Sequence, residues 1–254
     1  MRSIRSFFPV GAAFLMVVGL PQAARAQQNL FNVPSGQITR PGELFFQQQL
    51  NLSRPLGTSN TTLDVGLGHG WEAGINLLDV VVYDHGAGDG SDAQTQVNPD
   101  VLANVQKGGE LADFWHVGVG TQIGFNPNRR RDAIRLINFS WVINALEVPN
   151  HEQLGKYYVG AYFANTAYAG PGNSVGFLLG AELPIIKDRL SVQADWVGGR
   201  NEISVLVLGG VYTLRNGWQI SLGAQLPAPR SPNPRGGVTE LTLPGVPVFS
   251  RGRP

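Results

Sequence analysis

Large apolar residues alternate with small or polar residues along most of the chain. From Trp115 to Phe125 the odd positions are mostly large and apolar, whereas the even positions are histidine, glutamine or glycine. Successive side chains of a β-strand point to opposite faces, so this period of two predicts a strand with one apolar and one polar face. The same alternation recurs in 174–185, 190–198 and 217–226.

The alternation predicts about twelve strands. Their expected bounds are 44–53, 61–68, 71–80, 98–107, 114–125, 134–144, 156–167, 174–185, 190–198, 202–213, 217–226 and 238–243. Eleven residues at about 3.3 Å each, tilted by about 40°, rise roughly 28 Å, which is enough to cross the apolar layer of an outer membrane. A soluble β-sandwich also alternates, but it exposes many lysines and glutamates, whereas the polar face here is mostly glycine, serine, glutamine and asparagine. The sequence therefore predicts an all-β fold, an antiparallel up-and-down transmembrane β-barrel.

The first 26 residues have the pattern of a secretory signal peptide. Two arginines precede an apolar run over 7–20, and residues 24–26 read Ala-Arg-Ala, as in an A-x-A cleavage site. Pro9 and Pro21 leave less uninterrupted length than the about 20 residues of a membrane-anchoring helix. The expected organisation is a signal peptide over 1–26, a lead-in over 27–43 that is flexible up to about Pro41, and a barrel over 44–254.

Cleavage after Ala26 would change the balance of charge. It removes three of the 19 basic residues and none of the 18 acidic ones, which leaves 16 against 18 and a formal charge of −2. A nearly neutral chain gives no reason to expect a nucleic-acid partner. The sequence has no cysteine, so disulfides do not stabilise it. No second apolar run approaches the length of a membrane-spanning helix, which excludes a helical membrane protein.

The predicted connections and aromatic residues give the barrel an orientation. Outer-membrane barrels have short periplasmic turns and longer external loops, and Asn216-Gly217 is a preferred two-residue hairpin turn. The external loops are expected at 54–60, 81–97, 126–133, 168–173, 199–201 and 227–237; 199–201 is unusually short for an external loop, and the periplasmic connection 145–155 is unusually long.

Five large aromatic residues fall at the periplasmic end of their predicted strands and share the parity of the apolar face. They are Trp71, Trp115, Trp141, Tyr157 and Trp218. Three others fall near the opposite rim, namely Phe125, Phe177 and Trp196. Because amphipathic aromatic side chains favour the level of the lipid headgroups, we expect the first five to form a membrane girdle. The alternative is that they are core aromatics of a soluble sandwich.

The chain resembles bacterial outer-membrane β-barrel proteins through the signal peptide, the alternating strands and the girdle. Its hairpin TTLDVGLGHGWEAGINL is similar to a hairpin that recurs in transporter-like outer-membrane barrels, including a family associated with phenol degradation. In that recurring hairpin a Tyr-Gly pair precedes the turn, and Leu-Glu and then a glycine follow it. The hairpin lacks the tyrosine, and the chain ends in Arg-Gly-Arg-Pro rather than in the usual terminal aromatic. The resemblance implies an outer-membrane location.

Two residue groups could in principle carry other chemistry. His116, Asn138 and Ser140 are the residue types of a His-Ser-Asn lipid hydrolase. No phospholipase-like motif surrounds a serine, so we expect polar lumen residues and no enzyme. Acidic residues in an external loop, Asp84, Asp89 and Asp92, could offer oxygen ligands to calcium, but their spacing does not match a calcium loop. Neither a metal nor another cofactor is therefore expected.

Three consecutive arginines, Arg129, Arg130 and Arg131, lie in a predicted external loop. Guanidinium groups bind phosphate well, so these residues are candidates for contact with lipopolysaccharide. The alternative is a solvated charged loop without a lipid contact.

The lumen is the strongest candidate for function. Its polar side chains, assigned by parity, include Asp64, Glu72, His116, Gln122, Glu182, Gln193, Asp195 and Gln219. A barrel of a dozen strands is narrow, so these side chains either fill it or leave a small channel. Because acids outnumber bases there, a channel would prefer neutral or cationic solutes. The sequence predicts a small-solute channel or transporter-like protein in contact with outer-membrane lipid. The alternatives are a structural or surface-interaction barrel with a plugged lumen and, less favoured, a lipid-modifying hydrolase.

Overall fold

The computed structural model describes residues 30–85, 99–127, 136–149 and 151–247, and these form a closed antiparallel barrel of twelve strands. The strands are β1 (Glu43–Ser53), β2 (Leu56–Gly68), β3 (Trp71–Asp84), β4 (Asp100–Ala112), β5 (Trp115–Phe125), β6 (Ile137–Glu147), β7 (Lys156–Ala164), β8 (Val175–Ile186), β9 (Leu190–Val197), β10 (Val205–Thr213), β11 (Gln219–Pro227) and β12 (Gly236–Pro247). A short helix, α1 (Thr166–Ala169), follows β7. The up-and-down topology and the predicted fold class are confirmed.

Pairing between the first and last strands closes the barrel. Gln47 lies opposite Thr242 and Gln49 opposite Glu240 in an antiparallel register. The predicted last strand, 238–243, covers only the middle of β12, because the glycines and prolines that flank it read as a loop. Residues 248–254, including the C-terminal Arg-Gly-Arg-Pro, lie outside the described residues.

The connections distinguish the two ends of the barrel. The turn end carries the tight turns 69–70, 113–114, 187–189 and 214–218, the longer connection 148–155, the start of β1 and the end of β12. The loop end carries 54–55, 85–99, 126–136, 165–174, 198–204 and 228–235. His69 and Gly70 have φ values of 52° and 74°, as the favoured two-residue hairpin turn requires.

Several predicted loops differ in length from those of the structure, and two of them show why. The β1–β2 connection is not 54–60, because β2 already begins at Leu56. The polar run from Thr58 to Thr62 reads as a loop, yet it is extended, and its outward residues hydrogen bond to Gln48 on β1. The connection expected at 199–201 spans 198–204, where the Asn201 and Ser204 side chains hydrogen bond to each other at 2.7 Å.

The outward face of the barrel is largely apolar and the inward face is largely polar. Leu67, Ile75 and Leu222 are 61%, 52% and 64% exposed, whereas Glu72 and Asn76 are buried inside. The hairpin LGHGWEAGINL therefore divides between the two faces as its alternation predicts. Among the described residues, no helix is long and apolar enough to cross a membrane.

Residues 30–41, called the N-terminal segment below, lie inside the barrel rather than forming a flexible lead-in. Leu30, Phe31 and Val33 are fully buried. The segment reaches the wall at the turn end, where Pro41 bridges to Gly66. The expectation of flexibility was wrong because a segment without a strand pattern resembles a linker, although its apolar residues provide area for burial.

Candidate functional site

Hydrogen bonds from the inner wall hold the N-terminal segment in the lumen. The Asp195 carboxylate accepts from the backbone N–H groups of Asn32 and Val33, and Glu72 accepts from Thr39 N–H at 2.8 Å. The side-chain amides of two wall residues donate to segment carbonyls: Gln49 to Phe31 at 2.9 Å and Gln106 to Gln37 at 3.2 Å. These contacts satisfy backbone groups that would otherwise be buried without partners.

Inward-facing glycines leave room for the segment. A Cβ added at Gly118 would lie 2.6 Å from Gly36 Cα, and one at Gly108 would lie 2.4 Å from Ile38 Cγ1. An added Cβ at Gly180 would lie 2.8 Å from the Leu30 side chain, and one at Gly209 would lie 2.6 Å from the Phe31 ring. Any side chain at these positions would crowd the segment. The absence of side chains at these glycines therefore leaves space that the N-terminal segment occupies.

A cavity of about 690 Å³ lies between the N-terminal segment and the loop end. Phe31, Asn32 and Pro34 of the segment line one side of it, and residues from the loop end, including Glu202 and Asn233, line another. The N-terminal segment thus bounds this cavity on the side of the turn end.

One wall of the cavity is a hydrogen-bonded network of amides and carboxylates. Asn104 donates to the Asp64 carboxylate at 2.8 Å and to Asn76 at 3.1 Å. Asn76 in turn donates to Gln122, which donates to the Tyr168 hydroxyl at 2.8 Å. Such a network fixes the orientation of each amide and leaves a polar surface facing the cavity.

The adjoining wall, on β6 and α1, is aromatic and apolar. Phe139 lies 5.0 to 5.6 Å, centroid to centroid, from the rings of Trp141, Tyr162 and Tyr168. Burial raises the pKa of the Tyr168 hydroxyl above its ordinary value, which keeps it protonated at neutral pH. A cavity with one polar and one aromatic wall suits a solute that is itself polar on one side and apolar on the other.

The assignment of Trp141 to the membrane girdle was wrong. Its ring lines the cavity, and its indole N–H donates to Gln106 at 3.1 Å. The sequence predicts a strand over 134–144, but the apolar face of β6 points inward. In the β5–β6 register Trp141 lies opposite Gly120, where an added Cβ would come within 2.3 Å of its ring. Parity alone does not say which face of a strand points inward.

The reversal of β6 also separates the hydrolase candidates. Asn138 and Ser140 lie on the outward face, where Ser140 and Thr121 share a hydrogen bond of 2.8 Å. His116 lies on the inward face, with Nδ1 3.7 Å from Glu110. A Ser-His pair needs the two side chains within hydrogen-bond reach, so these three residues do not form a catalytic group.

The other lumen candidates occupy three places. Asp64, Glu72 and Gln122 line the cavity. Gln193, Asp195 and Gln219 are buried, and Asp195 holds the N-terminal segment. Glu182 accepts a hydrogen bond from Ser191 in the half of β8 nearer the turn end, and His116 also lies near the turn end. The sequence analysis did not single out four cavity residues, because they belong to no recognisable motif. They are Asn104, Gln106, Phe139 and Tyr168.

Three of the other girdle residues are exposed at the turn end. Trp71, Trp115 and Tyr157 are 43%, 38% and 41% exposed, and the Lys107 ammonium lies 4.9 Å from the centroid of the Trp71 ring. Trp218 is half-buried and immediately precedes β11. Phe177 and Trp196 meet edge to face at 4.8 Å near the loop end, where they were expected.

Some predicted contacts lie outside the described residues. These are Arg129, Arg130 and Arg131, together with Asp89 and Asp92 of the calcium hypothesis. Within the described ranges, no group of three or more histidine or acidic side chains is placed to hold a metal ion.

The two environments of tryptophan can be distinguished by fluorescence quenching in brominated phosphatidylcholine vesicles. We expect weak quenching for a variant that keeps only Trp141 and strong quenching for one that keeps only Trp71, the remaining tryptophans being phenylalanine in each. Trp141 lies inside the wall, whereas Trp71 lies on its outer face. Equal quenching of the two variants would contradict this placement.

No protein-family model matches the chain, and a search of curated proteins returned no match.

Proposed function

We propose that the protein is an outer-membrane β-barrel that admits a small neutral or cationic solute to its lumen, with the N-terminal segment as the gate. The observation that carries the proposal is the position of that segment between the cavity and the turn end. The largely apolar outer face supports membrane insertion, with the loop end outside and the turn end in the periplasm.

The attachments of the segment support its role as a gate because they are separate from the pairing of the strands. Hydrogen bonds to Asp195, Glu72, Gln49 and Gln106 hold it, and none of these hydrogen bonds is part of the ladder that closes the barrel. A net intramolecular hydrogen bond contributes about 0.5–1.5 kcal/mol, and one to a charged group about 1.5–3 kcal/mol. Release of the segment would therefore break these contacts and leave the strands paired.

A reversible disulfide tests the gate. An added Cβ at position 108 lies 2.4 Å from Ile38 Cγ1, which puts the two Cβ atoms within about 4 Å, the range of a disulfide. For the double variant Ile38→Cys, Gly108→Cys in planar bilayers, we expect no conductance when oxidised and intermittent conductance after reduction. The native chain has no cysteine on which the reductant could act.

Two results would overturn the proposal. Equal conductance of the oxidised and reduced double variant would show that the segment does not gate the lumen. Recovery of the protein in the soluble periplasmic fraction, rather than in the outer membrane, would exclude the membrane location. In a vesicle-swelling assay, we expect neutral and cationic solutes to enter faster than anions of the same size.

A further inference from the structure

The lining of the cavity is rich in acidic side chains. Five carboxylates line it, and no lysine, arginine or histidine is among the described residues of its lining. The five are Asp64, Glu72, Asp79, Asp100 and Glu202. Neutral asparagines donate to two of them, Asn104 to Asp64 and Asn126 to Asp100. Neutral donors use part of the acceptor capacity of a carboxylate and do not compensate its charge.

The carboxylates are spread over the cavity instead of converging on one point. Asp64 lies on β2, Asp79 on β3, Asp100 on β4 and Glu202 in the connection 198–204. Asp79 is near enough to Asp100 and to Glu202 for their negative charges to repel it. A cation that enters from the loop end relieves this repulsion, and spread charges suit a cation of molecular size.

The aromatic wall favours ligands that carry an ammonium group or an apolar portion, independently of the carboxylates. Phe139, Trp141 and Tyr168 line the same cavity as the carboxylates. Aromatic rings attract ammonium groups through their electron-rich faces, and they also cover apolar groups. The adjoining side chains Val197, Ile203 and Val205 extend the apolar wall. An inorganic cation with its water shell would gain nothing from this wall.

We propose that the cavity binds a small organic cation, an amine or quaternary ammonium group attached to an apolar portion. The carboxylates attract the charged group, the aromatic wall packs against the apolar portion, and the amides of Asn76 and Gln122 order the polar wall. A volume of about 690 Å³ lies within the usual range for small-molecule sites. The proposal rests on the proposed function for its role in uptake, but binding itself requires no movement of the gate.

The test uses the folded, detergent-solubilised protein and three probes that share one ring. These are benzyltrimethylammonium, benzyl alcohol and benzoate, titrated at fixed ionic strength while heat and tryptophan fluorescence are recorded. We expect saturable binding of benzyltrimethylammonium, about tenfold tighter than that of benzyl alcohol, and no binding of benzoate. Raising the salt concentration should weaken the cation alone.

Variants measure the contributions of the acidic and aromatic side chains to binding separately. Asp79→Asn combined with Glu202→Gln should weaken cation binding about tenfold and leave benzyl alcohol unchanged. Trp141→Leu should weaken the binding of both benzyltrimethylammonium and benzyl alcohol. The matched control is Asp113→Asn, a carboxylate in the turn between β4 and β5, away from the cavity.

Equal affinity for the alcohol and the cation, binding of benzoate, or no saturable binding of the cation would each overturn the proposal. Retained cation affinity in the double acidic variant would do the same. Because these measurements do not depend on passage through the barrel, a failure here leaves the result of the disulfide experiment standing. A failure of the gate likewise leaves the binding result intact.

Discussion

Replacing Gly118 with valine should raise the time-averaged conductance of the reconstituted barrel about 5- to 150-fold. The added Cβ would lie 2.6 Å from Gly36 Cα and 3.2 Å from Ile143 Cγ2, so the N-terminal segment must move away from the wall. Overpacking costs about 1–3 kcal/mol, and the same free energy shifts a closed-to-open equilibrium by the stated factor.

A glycine on the outer face provides the control. Gly109 lies on β4 beside Gly108 but points outward, with nothing within 4 Å of an added Cβ. Gly109→Val should therefore leave the conductance unchanged while adding the same side chain to the same wall. If Gly109→Val and Gly118→Val conduct equally, crowding of the segment is not what opens the lumen.

Removal of residues 30–40 should produce a permanently conducting barrel that unfolds at a lower temperature. The deletion takes no residue from the strands, and the pairing of β1 with β12 begins at Glu43. It does remove Leu30, Phe31 and Val33 from the buried cluster. Burial of three such side chains contributes up to about 5–9 kcal/mol, an upper limit because the unfolded chain is partly compact. Single-channel recording and heat-modifiable migration on gels measure the two effects.

A milder variant keeps this prediction testable if the deletion fails to fold. Asp195→Asn retains the segment but replaces the charged acceptor of the Asn32 and Val33 N–H groups with a neutral one. It should conduct more often than the native barrel and less often than the truncated one. A truncated barrel that folds and remains closed would show that other residues block the lumen.

The strands could be predicted from the sequence because their alternation is a direct consequence of backbone geometry. Trp71 and Ile75 point outward and Glu72 points inward, because successive side chains of a strand point to opposite faces. The faces of β6 could not be assigned in this way. Its apolar residues pack against Tyr162 and Tyr168 inside the barrel, and only the register with β5 reveals the glycine opposite Trp141.

The candidate site was predictable only in part. The inward parity of Asp64, Glu72 and Gln122 follows from their strands, and these residues do line the cavity. The cavity itself depends on where the N-terminal segment ends, and that segment carries no periodic pattern. Tyr168 is on a four-residue helix in a connection, and its place against Gln122 depends on contact between distant parts of the chain.

The span of the Asp195 contact constrains how the barrel is made. Asn32 and Asp195 are 163 residues apart in the chain, so the segment cannot dock until β9 has joined the sheet. Contacts of such long range form late, because the intervening chain must first be ordered. Folding would therefore pass through a species whose strands are paired while the N-terminal segment is still outside the lumen. In the proposed outer-membrane setting, each newly made molecule would stay open until that segment docks.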